Sequence, residues 1–135
     1  MRKLDLAVIA EDNRISRVIL REILEQYGAQ VIEAADGEEA WEVIVEHEPD
    51  LVISDVLMPK CDGFALAQRI HASDLEPTPL VFLTSAVYKS RRWVHEALTT
   101  YCGDEFLVKP VNPATIGKLL AKHFDIVQKA AGAGE

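Results

Sequence analysis

The sequence predicts an α/β fold in which five parallel strands form one doubly wound open sheet with five helices. Three observations predict it: five strand-sized apolar segments recur, segments with helical spacing separate them, and the central apolar segments are hydrophobic at consecutive positions. Consecutive apolar residues are typical of strands covered on both faces, as in a parallel sheet. Strands that alternate with helices through short connections favour right-handed βαβ units.

The five predicted strands are short runs rich in Val, Ile, Leu and Phe. In chain order they occupy residues 6–10, 30–34, 51–54, 80–84 and 105–108. A chain of 135 residues with 49% hydrophobic content can bury one proper core and is too short for two ordinary domains. We therefore expect one domain over residues 1–128, followed at 129–135 by a small-residue segment that is a flexible tail or the start of a linker.

The first predicted helix covers residues 13–27, and Gly28 ends it. Its spacing separates an apolar face from a charged one. The apolar face consists of Ile15, Val18, Ile19 and Ile23, and the charged residues Arg14, Arg17, Arg21 and Glu25 lie largely elsewhere.

The other four helices are predicted over residues 38–46, 64–71, 90–100 and 113–124. Asp-Gly pairs precede the second and third helices. Before the last helix, Asn112 can serve as the N-cap and Pro113 suits the first helical turn.

Charge and composition exclude several classes of function. The 22 acidic and 14 basic residues give a net charge of −8 and a pI near 5.0, which disfavours direct binding to nucleic acid. No apolar run approaches the ~20 residues that span a bilayer, so we expect a cytoplasmic protein without a membrane segment. Cys61 and Cys102 form no CxxC motif and lie far apart, so we expect reduced thiols and neither a disulfide nor a zinc site.

Polar residues follow four of the five predicted strands, at the edge of the sheet where open α/β folds bind ligands. Three carboxylates, a hydroxyl and an ammonium group are expected to meet there. These groups belong to Glu11, Asp12, Asp55, Thr84 and Lys109, with Ser85 next to the hydroxyl.

Carboxylates held close together repel one another unless protons or a cation neutralise them. Mg²⁺ prefers oxygen ligands and binds where a few protein groups leave room for a phosphate. With such an ion present, Asp55 could attack phosphorus and form an aspartyl phosphate. Lys109 and the metal would offset the charge of the phosphoryl oxygens, which is most of what phosphoryl transfer requires.

Four motifs, each at a strand end, resemble the signature of receiver domains of two-component signalling, the family to which chemotaxis receivers belong. They are Glu-Asp-Asn at 11–13, Ile-Ser-Asp-Val-Leu-Met-Pro-Lys-Cys-Asp-Gly around Asp55, Phe-Leu-Thr-Ser-Ala around Thr84, and Phe-Leu-Val-Lys-Pro ending at Pro110. Each motif alone is weak, but the four together occur in the family's order over almost the whole chain.

The resemblance implies a flavodoxin-like sheet with strand order 2-1-3-4-5 and a cis peptide between Lys109 and Pro110. It also implies that Asp55 is the phosphoacceptor and, with the side chains of Asp12 and Glu11, forms the metal site. Asp12 would bind Mg²⁺ directly, Glu11 through water, and Leu57 through its backbone carbonyl. The groups implied to contact the phosphoryl group are the side chains of Thr84 and Lys109 and the backbone at Val56 and Ser85.

The resemblance further implies a switch in which Thr84 moves toward the phosphate and the aromatic ring of Phe106 turns inward. The implied partners are a sensor histidine kinase or phosphotransfer protein as donor, and an effector protein or output domain downstream. A phosphorylation-dependent homodimer is compatible with it. The chain would catalyse only its own phosphorylation and dephosphorylation.

Two departures from the family pattern concern the fourth helix and the hydrolytic water. The spacing from Thr84 to Lys109 is a few residues longer than usual. Leu57 and Ala86 are apolar where many relatives carry polar groups, which predicts slow self-dephosphorylation. The fourth helix region holds a basic and aromatic cluster, which is either a partner-docking surface or an ordinary solvated face: Tyr88, Arg91, Arg92 and Trp93.

Three alternative functions use the same fold or chemistry. A phosphatase of the haloacid-dehalogenase type would carry Asp-x-Asp after its first strand, but this chain has Glu-Asp-Asn there. An FMN carrier would need a Ser/Thr/Gly-rich phosphate loop at that position. A pseudo-receiver, acting as an interaction module without phosphorylation, is the main alternative, and the complete set of acidic, hydroxyl and amine groups argues against it.

Overall fold

The computed structural model describes residues 2–86, 91–99 and 103–126, apart from the side chains of Trp93 and Ala97. Five parallel strands form the main sheet: β2 (Leu6–Ala10), β3 (Gln30–Ala34), β4 (Leu51–Asp55), β5 (Leu80–Ser85) and β6 (Glu105–Val108). Their order across the sheet is β3-β2-β4-β5-β6. When the five strands are numbered 1 to 5 along the chain, this is the predicted order 2-1-3-4-5, so the predicted fold is confirmed.

Five helices connect the strands, and side-chain caps begin four of them. The helices are α1 (Arg14–Gln26), α2 (Gly37–His47), α3 (Gly63–His71), α4 (Arg91–Thr99) and α5 (Pro113–His123). The capping oxygens belong to Asn13, Asp36, Asp62 and Asn112, each of which accepts a hydrogen bond from a backbone N–H of the first turn. The predicted ends of the fourth helix and the domain boundary at 128 lie outside the described residues.

Several predicted boundaries were wrong by one residue, and the pairing explains two of them. The predicted third strand stops at Ser54, but the ladder between β4 and β5 continues to a pair between Asp55 and Thr84. The predicted fourth strand stops at Thr84, but the ladder between β5 and β6 continues to a pair between Ser85 and Val108. Asn13 was predicted as the first residue of α1 and is its N-cap.

A small second sheet was not predicted. It pairs β1 (Arg2–Lys3) in parallel with β7 (Phe124–Asp125). Phe124 was expected to complete the last helix, but it is extended and fully buried in this pairing. Burial of its ring outweighs one further residue of helix, since an aromatic side chain contributes roughly 1.5–3 kcal/mol when buried.

The sheet is covered on both faces, as consecutive apolar residues predict. Ile9, Ile53 and Phe82 point into the cluster beneath α1 and α5. Their neighbours Val8, Val52 and Val81 point into the cluster beneath α2 and α3. The central strands are therefore held on both sides, and the edge of the sheet at their carboxyl ends is a rigid platform. Among the described residues, no helix has the length and apolar character to span a bilayer.

The predicted apolar face of α1 was partly wrong. The helix packs on the sheet through Leu20, Ile23 and Leu24, which are buried. Ile15 and Val18 lie on the side away from the sheet and are 71% and 43% exposed. The helix carries two apolar rows, and only the row that faces the sheet can be covered.

Gly63, the first residue of α3, lies against the strand end that carries Asp55. A Cβ atom there would be 2.4 Å from the carbonyl oxygen of Asp55 and 2.9 Å from Cα of Val56. Because both neighbours are backbone atoms, the contact can be relieved only by a backbone shift, either of the Asp55 segment or of the start of α3.

We expect Gly63→Ala to lower the free energy of unfolding by about 1–3 kcal/mol, the usual effect of overpacking. Urea unfolding measures it. In an open helical position the same change would raise stability by about 1 kcal/mol through helix propensity. A gain in stability would therefore contradict the predicted close approach.

Candidate functional site

Three carboxylates from two neighbouring strands meet at the carboxyl edge of the sheet. Glu11 and Asp12 follow β2, and Asp55 ends β4. One carboxylate oxygen from each lies within 4.8 Å of the others. Glu11 is 1% exposed, the side chain of Asp55 is 12% exposed, and Asp12 is open to solvent. The side chains that the sequence predicts to meet are thus brought together.

Lys109 joins the cluster from the end of β6. Its Nζ donates to Oδ2 of Asp55 at 3.1 Å and forms a short ion pair with Oε1 of Glu11. Its backbone N–H donates to the carbonyl of Ser85 at 2.9 Å, and the peptide to Pro110 is cis, as the resemblance implies. The ammonium group therefore bridges the buried carboxylate and the more accessible one.

Burial and hydrogen bonding together determine the pKa values of Glu11 and Lys109. Burial raises the pKa of Glu11, and hydrogen bonds from Lys109 and from the N–H of Asn13 oppose this effect. Burial lowers the pKa of Lys109, but its hydrogen bonds to Glu11 and Asp55 outweigh that effect and leave the pKa above its ordinary value. Lys109 therefore stays charged at neutral pH.

The carboxylate of Asp55 points toward the loop that follows β4. Its Oδ1 lies 3.4 Å from the N–H of Leu57, and the hydroxyl of Ser54 donates to its backbone carbonyl at 3.0 Å. The N–H of Val56 donates to the carbonyl of Thr84 at 2.8 Å, which continues the ladder past the end of β4. Leu57 is 46% exposed. Hydrogen bonds thus hold the backbone on both sides of the carboxylate.

Thr84 lies opposite Asp55 in the parallel ladder. Its side chain is buried, and within the described part of the chain its hydroxyl oxygen has no hydrogen-bond partner. An unsatisfied buried hydroxyl costs about 1–3 kcal/mol, and a new hydrogen-bond partner would recover that cost. Phe106 stands on the adjacent strand, opposite Leu83, and packs partly buried against the cluster beneath α2 and α3.

The predicted partner surface is described only in part. Tyr88 lies outside the described residues, and Trp93 belongs to α4 without a described side chain. Arg91 and Arg92 are exposed at the start of α4, and Arg92 pairs with Glu96 at 3.5 Å. Cys61 lies in the loop after β4 as a free thiol, and burial raises its pKa. Cys102 lies outside the described residues.

Arg17 was missed by sequence reasoning. It was predicted only to lie with the charged residues away from the apolar face of α1, but its Nη1 donates to the backbone carbonyl of Glu11 at 2.7 Å. Its position five residues after Asp12, together with an acidic Glu33 on the neighbouring strand, is the signal that could have revealed it.

Residues 7–121 match the response regulator receiver domain family. The chain belongs to this family. Among curated proteins, the receiver is 39% identical over 104 residues to the transcriptional regulatory protein PdtaR of Mycobacterium tuberculosis, covering 76% of this chain and 48% of PdtaR. The chain spans between 28% and 52% of the length of the first four curated relatives that it matches.

Solved receiver domains have the same fold. The receiver domain of a signal transduction histidine kinase from Syntrophus aciditrophicus matches with a TM-score of 0.76 at 31% identity, over 87% of this chain and 88% of that one. The receiver domain of a sensor histidine kinase from Pseudomonas aeruginosa matches with a TM-score of 0.76 at 20% identity, over 87% and 95% of the two chains. That receiver holds a magnesium ion in its active-site cleft.

The exposed Asp12 carboxylate offers a test of the charge balance in this receiver. Within the described part of the chain it makes no hydrogen bond or ion pair, although it lies beside Glu11 and Asp55. In metal-free buffer of low ionic strength, we expect Asp12→Ala to raise the midpoint temperature of unfolding, because one source of repulsion is removed. Differential scanning calorimetry measures the change.

The matched control is Asp74→Ala, which removes an exposed carboxylate outside the cluster. It should leave the midpoint almost unchanged. The gain from Asp12→Ala should shrink as salt is added, since screening weakens interactions between exposed charges. A lower midpoint for Asp12→Ala would show that the carboxylate stabilises the metal-free site.

Proposed function

We propose that Asp55 accepts a phosphoryl group from a sensor histidine kinase or phosphotransfer protein in a magnesium-dependent reaction, and that Thr84 and Phe106 convert this into altered partner binding. The single observation that carries the proposal is the cluster of three carboxylates and one ammonium group at the carboxyl edge of the sheet. Membership of the receiver family supports the same role.

The donor set fits Mg²⁺. Three carboxylates supply oxygen ligands, and neither a thiol nor an imidazole belongs to the described cluster. Asp12 and Asp55 would hold the ion directly, Glu11 would bind through water, and the carbonyl of Leu57 would complete the protein ligands. The ion would supply positive charge that offsets the phosphoryl oxygens. The magnesium-bound neighbour from Pseudomonas aeruginosa supports this through its fold.

The chain's own residues supply the nucleophile and a cation. An oxygen of the Asp55 carboxylate attacks phosphorus, a P–O bond forms, and the P–N bond of the donor phosphohistidine breaks while its nitrogen takes up a proton. Lys109 already contacts Oδ2 of Asp55, so its ammonium group can stabilise the negative charge on the phosphoryl oxygens without leaving the site. The N–H groups of Val56 and Ser85 are proposed as further phosphate contacts.

Thr84 connects the modification to the rest of the sheet. Its hydroxyl has no partner in the described structure, and a phosphoryl oxygen on Asp55 would satisfy it. Movement of Thr84 would open space beside β6, into which Phe106 could turn. Two or three charge-assisted hydrogen bonds of about 1.5–3 kcal/mol each are comparable with the ~5.5 kcal/mol that inverts a two-state equilibrium from 1:99 to 99:1.

We further propose that residues 1–128 form the receiver, that it works in the cytoplasm, and that an effector or output domain reads its phosphorylated state. The exposed Arg91 and Arg92 at the start of α4 are the proposed contact surface. The matched region is 48% of PdtaR, which leaves room in that relative for an output domain. Leu57 and Ala86 are exposed and apolar beside the site, which supports slow self-dephosphorylation.

Incubation with acetyl phosphate and Mg²⁺ should add one phosphoryl group to the wild-type chain and none to Asp55→Asn, because the amide is not a nucleophile. Intact-mass spectrometry measures the product. Labelling should disappear when EDTA removes the metal. The control is Asp62→Asn in the same loop, which should be labelled like the wild type because asparagine also caps α3 well.

Wild-type chain that remains unlabelled at saturating Mg²⁺ would refute the phosphoacceptor role and favour the pseudo-receiver. Equal labelling of Asp55→Asn and wild type would place the acceptor elsewhere. Turnover of a generic phosphate ester would favour the phosphatase class.

A second prediction separates the switch from the chemistry. Thr84→Val keeps the shape of the side chain and removes the unpartnered hydroxyl, so metal-free stability should stay the same or rise. We expect the variant to become labelled but to lose the phosphorylation-dependent change in the Phe106 amide signal seen by NMR. Thr78→Val, in the exposed loop before β5, should keep that change. A full response in Thr84→Val would refute the proposed switch.

A further inference from the structure

We propose that Arg17 is a positioning residue that holds the peptide between Glu11 and Asp12 in the orientation needed to bind Mg²⁺. The inference rests on the proposed function, because it concerns the same acidic cluster. Nothing in the phosphoryl chemistry requires Arg17 to touch the substrate or the metal. Its effect is exerted through the backbone.

The guanidinium group of Arg17 makes two contacts at once. Its Nη1 donates to the backbone carbonyl of Glu11 at 2.7 Å, and its Nε donates to Oε1 of Glu33 at 3.1 Å. The side chain is only 18% exposed. Because the donors of arginine form a rigid planar fork, the carboxylate on one side fixes the direction of the donor on the other.

The carbonyl of Glu11 controls more than one residue. The peptide unit is planar, so holding this oxygen also orients the N–H and Cα of Asp12. On its other side, the N–H of Glu11 donates to the carbonyl of Ala34 at 3.0 Å. Glu11 is therefore fixed through both its backbone groups as well as through its buried carboxylate.

Asp12 depends on this backbone more than its neighbours do. Glu11 and Asp55 are each held by Lys109, but the exposed Asp12 carboxylate has no hydrogen bond or ion pair within the described residues. The peptide that precedes Asp12 is thus the nearest constraint on where its carboxylate points. A disordered peptide would have to be ordered when the metal binds, which costs affinity.

Glu33 anchors the arginine to the sheet. It lies on β3, and hydrogen bonds from Arg21 and then Arg17 lower the pKa of its carboxyl group, so it is charged at neutral pH. Arg21 also contacts Glu25 and the carbonyl of Val31. Both arginines therefore join α1 to β3, but in the described structure only Arg17 reaches the backbone of Glu11.

This difference provides a matched pair of variants. Arg17→Met and Arg21→Met each remove one arginine from α1 and one ion pair with Glu33, and only the first frees the Glu11 carbonyl. The Mg²⁺ affinity of each unphosphorylated chain is measured by titration with MgCl₂, followed by two-dimensional amide NMR of residues 55–57. Thermal unfolding without metal reports the loss of stability separately.

We expect Arg17→Met to bind Mg²⁺ about three- to tenfold more weakly, the equivalent of one ordinary hydrogen bond, and Arg21→Met to stay within about twofold of wild type. The magnesium concentration that half-saturates labelling by acetyl phosphate should rise by the same factor, with little change in the rate at saturation. Arg17→Lys should fall between wild type and Arg17→Met, because one ammonium cannot reproduce both contacts of the fork. If Arg17→Met does not fold, the Mg²⁺ affinity of Arg17→Lys is compared with that of the wild type instead.

Wild-type affinity in Arg17→Met and Arg17→Lys, or equal losses in Arg17→Met and Arg21→Met, would overturn the inference. Asp12→Asn distinguishes this failure from failure of the proposed function. If Asp12→Asn abolishes binding while the Arg17 variants bind normally, only the inference fails. If wild-type chain binds no Mg²⁺, both fail.

Discussion

The contact between Lys109 and two carboxylates is the constraint on which the rest of the site depends. Glu11 is almost completely buried, and an isolated buried carboxylate would take up a proton rather than remain charged. The ammonium group offsets that charge and also reaches Asp55, which is more accessible. One ammonium group thus compensates the negative charge of the carboxylate that follows β2 and of the one that ends β4. The charge of the third carboxylate, Asp12, is left to be neutralised by ions from solution.

The parallel ladder turns this local arrangement into a property of the whole sheet. Asp55 is paired with Thr84, and Thr84 is paired with Leu107 on β6, beside Phe106. The backbone hydrogen bonds that register these strands leave the Thr84 hydroxyl buried next to the acidic cluster. In the proposed switch, a change of charge at Asp55 affects the Thr84 hydroxyl first, and the ring of Phe106 on the next strand responds after it.

The fold was largely predictable because the central strands are apolar at consecutive positions, and each is followed by the polar residue that the site uses. Side chains whose roles depend on helix rotation were harder to assign. In α1, Ile15 and Ile23 both fit an apolar face, but only Ile23 meets the sheet. Arg17 was predicted only to lie away from the apolar face, and its contact with Glu11 was missed for the same reason. Its partners are the backbone carbonyl of Glu11 and the carboxylate of Glu33, and only the acidic residue can be recognised in the sequence as a possible partner. The pairing of β1 with β7 joins residues more than a hundred positions apart, beyond the reach of local patterns.

That small second sheet also fixes the position of the two described ends of the chain. Arg2 pairs with Phe124, and its guanidinium group contacts Asp50 and the carbonyl of Thr78, which precede β4 and β5. The two described ends of the chain therefore lie side by side below the amino ends of the strands, with the whole sheet between them and Asp55. Both described ends are therefore separated by the length of the sheet from the edge at which a phosphodonor is proposed to bind.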